Sequence, residues 1–215
     1  MHVPDGFIAP QVYLPLYGVA AGFWAYGARR LRERLDEETL PYLAVLTGLA
    51  FVLSTVAIPL PGGTTVHAAG VGLLAVVFGA WTAFMAVSVV LLMQAMLFGE
   101  GGITALPLNA LAMGLVGGAA AWSAFRGLRR WTERGALFLA GLLSVLLPAL
   151  LVALVLGIQP LIAHRADGTP LFFPFGLSVT VPALLLPHLL VGLGEGVLTV
   201  LGYDFVHRLR GGQRA

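Results

Sequence analysis

The chain has 215 residues, of which 59% are hydrophobic and only 10% charged. A soluble domain usually carries about 25% charged residues, so composition excludes an ordinary water-soluble globule and points to a polytopic membrane protein. A net charge of +2, with arginine as the only basic side chain apart from histidine, makes no case for nucleic-acid binding. The absence of cysteine excludes disulfides, thiolate metal sites and thiol nucleophiles.

The first residues, MHVPDGF, contain Asp5 and neither Lys nor Arg. They lack the basic region of a secretory signal, and the mature protein is expected to keep them. Residues 6–28 form an uncharged stretch long enough to cross a bilayer once. RRLRERLDEET follows as a charged, amphipathic connection. Residues 39–99 carry no charge at all and are too long for one helix. PLPGG at 59–63 ends a span near Ile58. The remainder is expected to split near Gly79, Ala80 and Trp81 into two short helices, 65–80 and 82–98. Further spans are expected at 105–125, at 135–158 and from about 175 to 205, the last bent by Pro182 and Pro187. The expectation is an all-α bundle of seven transmembrane helices in a single domain, 1–215.

The arginines orient this bundle. Arg29, Arg30, Arg32 and Arg34 lie in the first connection, and Arg126, Arg129, Arg130 and Arg134 between the fifth and sixth spans. Arg208, Arg210 and Arg214 lie in the C-terminal tail. With seven spans all of these fall on one side and only Arg165 on the other. The positive-inside rule makes that side cytoplasmic, with the N-terminus outside and the C-terminus inside.

His2 and His67, the latter in GGTTVHAAG, then share the outer face. A histidine at position 2 has a specific chemistry. Its main-chain nitrogen closes a five-membered chelate ring with the α-amine of Met1 and a six-membered ring with its own imidazole Nδ1. Ni²⁺ and Cu²⁺ favour such near-planar nitrogen sets. His67, through Nε2, is the obvious fourth donor. The plainer alternatives are a surface histidine at position 2 and a hydrogen-bonded helix-end histidine at 67. Asp5 could fix the leader, and Thr64 and Thr65 could cap the helix that follows. Glu195 lies inside an apolar run, where an unpaired charge is costly. It stands seven residues after His188, on the same helix face, and its reading is a buried structural network, with direct contact to a substrate as the alternative. Gln94 and Asn109 read as hydrogen-bonding links between helices. No ATP-binding P-loop is present.

MHVPDGF at 1–7, GGTTVHAAG at 62–70, LLMQAMLFGEGGITALPLNALAMG at 91–114 and HLLVGLGEGVLT at 188–199 together resemble the NikM/CbiM family. These are the membrane-embedded substrate-binding (S) components of energy-coupling-factor nickel and cobalt transporters. The resemblance implies a six-helix S-component core plus an additional N-terminal helix, and a leader tucked into the bundle. It implies metal ligands from Met1, His2 and His67, with Asp5, Thr65, Asn109, Glu100 and Glu195 as supporting residues. It also implies partners: a transmembrane coupling subunit and two cytosolic ATP-binding subunits, with a small accessory membrane subunit left open. Three positions depart from the family pattern. Val71 stands where many members have a second histidine, Glu100 where many have aspartate, and Ala112 where many have a second asparagine. The expected function is Ni²⁺ capture for an ATP-driven importer in a prokaryotic inner membrane, with no enzymatic activity in this chain. Cobalt is the alternative cargo, and a scaffold or assembly subunit without substrate is the alternative of a different class.

Overall fold

The computed structural model describes residues 2–56, 58–59 and 65–212. The helices follow the expected order. α1 (Pro10–Arg32) starts with a proline at its first position, where the missing N–H costs nothing, and ends in Arg29, Arg30 and Arg32. α2 is Thr39–Thr55. A two-stranded hairpin follows, β1 (Ile58–Pro59) antiparallel to β2 (Thr65–Val66), with Ile58 opposite Val66. Next come α3 (Val71–Phe78) and α4 (Ala80–Leu97). α5 (Leu106–Asn109), a π-helical stretch (Ala110–Gly117) and α6 (Gly118–Leu128) form one continuous rod. α7 (Glu133–Gly157), the single turn α8 (Gln159–Ile162) and the long α9 (Leu177–Gly212) complete the chain.

The expectation of seven membrane spans needs correction. Among the described residues, four helical runs are long and apolar enough to cross a membrane: Ala80–Leu97, Leu106–Leu128, Glu133–Ile162 and Leu177–Leu209. α1 has 23 residues, but its tyrosines, glycines, Pro15 and Trp24 dilute its hydropathy. α2 has 17 residues. The expected third span, 65–80, is an eight-residue helix, because 65–66 are a strand and the helix begins only after Gly70. At about 1.5 Å per residue it is about 12 Å long, against about 27 Å for α4. The break between them falls on Gly79, whose φ of 91° is a conformation that side-chain-bearing residues rarely adopt. The sequence reading placed the split within a residue or two of this point.

α7 and α9 share the most extensive helix–helix contact, and the rod 106–128 packs beside α7. The α7–α9 contact depends on small residues. A Cβ at Gly141 would run into the Glu195 carbonyl and the Thr199 hydroxyl, so the backbones meet almost directly. That closeness brings Glu195 of α9 to the start of α3.

Candidate metal centre

The leader ahead of α1 is folded into the bundle. Val3, Ile8 and Ala9 are buried, and the polar groups of this segment find partners on other elements. Val3 N–H donates to Asn109 Oδ1 at 3.0 Å, and Asn109 Nδ2 donates to Val3 O at 3.1 Å. Gly102 N–H also donates to Val3 O, at 3.1 Å. The Asn109 amide thus pairs with the leader as a strand's backbone would. Asp5 accepts from Ile103 N at 3.2 Å and from Thr104 N at 2.8 Å, and also from the Thr104 hydroxyl. Partial burial works against its charge, but the bonds from Thr104 and Ile103 outweigh it and hold the carboxyl below its usual range. Ala9 N–H donates to Gln159 Oε1 at 2.9 Å, and Phe173 N–H to Phe7 O at 3.2 Å.

This docking carries His2 to His67. Their rings are stacked, with centroids 4.4 Å apart and planes 19° from parallel. Both are buried, in non-helical segments outside the spanning helices. Burial pulls the His2 imidazole down to about 3 and holds His67 well below the ordinary histidine value. Both rings are therefore neutral at pH 7, with lone pairs available. His67 Nδ1 lies 3.2 Å from the Ala68 carbonyl, so Nδ1–H donates there and Nε2 keeps its lone pair. His67 Nε2 and both ring nitrogens of His2 are buried without a hydrogen-bond partner. Buried polar atoms are normally paired, so these unpartnered imidazole nitrogens mark the pair as a candidate metal site.

Glu195 acts on the His67 loop. It accepts hydrogen bonds from Ala69 N–H and from Gly70 N–H, the latter at 2.9 Å, at the N-terminus of α3. A carboxylate there is favoured by the helix dipole. His67, Ser144 and Glu195 line a cavity with room for about one water molecule. Glu195 thus sits in a buried hydrogen-bonded network, but His188, on the same helix face, is not part of it. His188 Nδ1 lies 2.7 Å from Leu184 O on its own helix, while Glu195 turns to α3. Glu100 is half-buried and meets Gln94 Nε2 at 3.5 Å. Met1 and the side chain of Thr65 lie outside the described residues, as do Gly62, Gly63 and Thr64. Among the described residues, no three His, Cys, Asp or Glu side chains gather into a metal cage.

Sequence reasoning treated Asn109 and Gln94 as links between helices. Asn109 instead grips the leader's backbone, whereas Gln94 of α4 does join two helices, donating to Ser54 of α2 at 2.8 Å. Gln159, which holds Ala9, was missed. A glutamine in an apolar stretch is the signal that marks it.

Residues 2–212 match the family described as CbiM, cobalt uptake substrate-specific transmembrane region. The chain belongs to this family. Among CbiM-family relatives, it is 40% identical over 213 residues to the probable fused nickel transport protein LarMN of Lactiplantibacillus plantarum, covering 97% of this chain and 65% of the relative. It is 41% identical over 207 residues to the fused nickel transport protein NikMN of Rhodobacter capsulatus, covering 93% of this chain and 59% of the relative. The chain therefore spans less than two thirds of the length of each fused relative. The cobalt transport protein CbiM of Clostridium tetani is 30% identical over 208 residues, with 96% of this chain and 84% of that protein covered. The fold superposes on a crystal structure of a truncated transition metal transporter with a TM-score of 0.93, at 34% identity, covering 97% of this chain and 99% of that one. The chain is thus a multi-pass membrane protein of the CbiM family, described as a substrate-specific transmembrane region.

Proposed function

We propose that this CbiM-family protein is the specificity component of an ATP-driven nickel importer. It captures Ni²⁺ at the outer side through four nitrogens: the amine of Met1, the main-chain nitrogen and Nδ1 of His2, and Nε2 of His67. The observation that carries the reading is the stacked His2–His67 pair with unpartnered, buried ring nitrogens. Two imidazoles alone make a weak site, and the leader brings main-chain nitrogen to the same spot. Loss of the amide proton on binding suits Ni²⁺ in a planar field. Asp5 and Asn109 dock the leader, Glu195 braces the His67 loop, and Glu100 and Thr65 stand nearby in the sequence motifs. The nickel proteins among the relatives support this cargo. The cobalt proteins, and the family description itself, favour Co²⁺ as the second reading.

In the membrane the arginine-rich connections face the cytoplasm, the leader faces outward, and α1 to α3 complete the bundle beside the four long spans. ATP hydrolysis belongs to two cytosolic subunits and is conveyed by a transmembrane coupling subunit. The test is a titration of the untagged protein with Ni²⁺ and with Co²⁺, read by the ligand-field spectrum. Adding one residue ahead of Met1 removes the amine from the chelate. It is expected to abolish tight binding and the planar Ni²⁺ band. Unchanged affinity in the extended protein would refute the ligand set, and preference for Co²⁺ in the unextended one would move the reading to cobalt.

A further inference from the structure

α1 and α4 leave an open groove of about 440 Å³ on the side of the bundle, lined by Val19, Gly22, Phe23 and Tyr26 of α1 and Trp81 of α4. Trp81 meets the Tyr26 ring edge-on, with centroids 4.6 Å apart, and the Phe23 ring at 6.2 Å. Gly22 keeps the groove open, since a Cβ there would touch nothing within 4 Å.

The groove ends at cations. Arg30, one turn beyond Tyr26, lays its guanidinium carbon 5.3 Å from the Tyr26 ring centroid, and its Nε donates to the Tyr26 hydroxyl at 2.9 Å. Arg34 reaches the turn before Trp81: its Nη1 is 3.4 Å from the Phe78 carbonyl and would lie 2.9 Å from a Cβ at Gly79. Arg30 shares its charge with Glu33 at 3.3 Å, in an exposed pair of the kind that binds weakly. Arg34 has no ion pair among the described residues.

An apolar groove in the bilayer that ends in arginines at the water boundary matches one molecule at both ends. That molecule is a phospholipid, with a hydrocarbon chain for the groove and an anionic headgroup for the guanidiniums. An apolar helix of another protein would fill the groove and leave the cations unused. We propose that this groove binds an anionic phospholipid, its acyl chain along Gly22, Phe23 and Trp81 and its phosphate on Arg30 and Arg34. Tyr26 joins the two halves: its ring walls the groove, and its hydroxyl, accepting from Arg30, keeps its own hydrogen for the phosphate. A lipid so held ties α1 to the start of α4. That it comes from the cytoplasmic leaflet rests on the orientation proposed above, but the site does not.

The experiment places the full chain in nanodiscs of phosphatidylcholine with a minor fraction of phosphatidylglycerol, and puts bromine on the acyl chains of one lipid at a time. Bromine quenches tryptophan fluorescence on contact, and the quenching lost in Trp81→Phe reports the groove. Phosphatidylglycerol is expected to be preferred there by about tenfold or more, and Arg30→Gln and Arg34→Gln each to lower the preference by about fivefold. Glu33→Gln, which frees Arg30, is expected to raise it, and Gly22→Leu to remove Trp81 quenching by filling the groove. Equal quenching by the two lipids in the wild type would overturn the proposal, the groove then holding ordinary bilayer lipid, and this result needs no variant beyond the one that assigns Trp81. So would a preference that survives both arginine substitutions, or a Trp81 that neither lipid quenches because a second copy of the chain covers it. Both leaflets carry the same lipids, so an error in the proposed orientation would leave these outcomes unchanged.

Discussion

Asn109→Leu tests whether leader docking makes the site. Leucine shares the branched heavy-atom skeleton of asparagine, though it is bulkier, and removes both bonds to Val3. The Val3 carbonyl keeps its bond from Gly102 N–H, so only the Val3 N–H is stranded. Leaving a buried donor unpaired costs about 1–3 kcal/mol, and about 2 kcal/mol is a working figure for the docked leader. At about 1.4 kcal/mol per tenfold, that weakens nickel binding by about 30-fold if the leader must be docked for the ion to bind. A leader docked with stability to spare would show less, because apparent affinity scales with the competent fraction. Hydrogen exchange at the Val3 amide resolves the two cases, since it reads docking directly. A variant with wild-type nickel affinity and wild-type protection at Val3 would refute the reasoning, as the amide clamp would then contribute nothing.

Glu195→Ala strips the two N–H groups at the start of α3 of their acceptor. It is expected to weaken nickel binding by about tenfold or more, with Glu195→Gln, which keeps an acceptor oxygen, falling in between; nickel titration of both variants checks this order. The pH dependence of the metal-free protein follows from His2. Its folded-state value of about 3 lies below the ordinary 6.5, so between those values the unfolded chain binds more protons. Stability is then complete above about pH 6.5 and declines as the pH falls toward 3. Thermal melting across that range is expected to show the decline, and to show less of it in His2→Ala.

The long helices were legible because the charges mark their ends. One arginine cluster, Arg126 to Arg134, separates the rod 106–128 from α7, and uncharged length placed both within a few residues. The break at Gly79 was legible from small residues in an overlong apolar run. The shortness of α3 was not, because 65–70 is as apolar as a helix and nothing local announces the β1–β2 pairing. The His2–His67 pair was readable from chain position and chelate chemistry, helped by the family motifs. The partners of Asn109, Gln94 and Gln159 were not, since a polar residue in an apolar run advertises a need for a partner without naming it. Spacing along α9 put His188 on the same face as Glu195 but named no partner for it. The close approach at Gly141 delivered Glu195 to another helix instead.

α3 has a charge at each end, and neither belongs to it. Glu195 receives the N–H groups of Ala69 and Gly70 at its start, and Arg34 Nη1 approaches the Phe78 carbonyl at its finish, 3.4 Å away. Both signs oppose the helix's own dipole. Eight residues are too few to hold a helix alone, so this one behaves as a short strut clamped between α9 and the connection after α1. Sliding it along its axis would open one clamp while compressing the other. The loop bearing His67 is hung from a beam fixed at both ends, and its stiffness is lent by two side chains far apart in the chain.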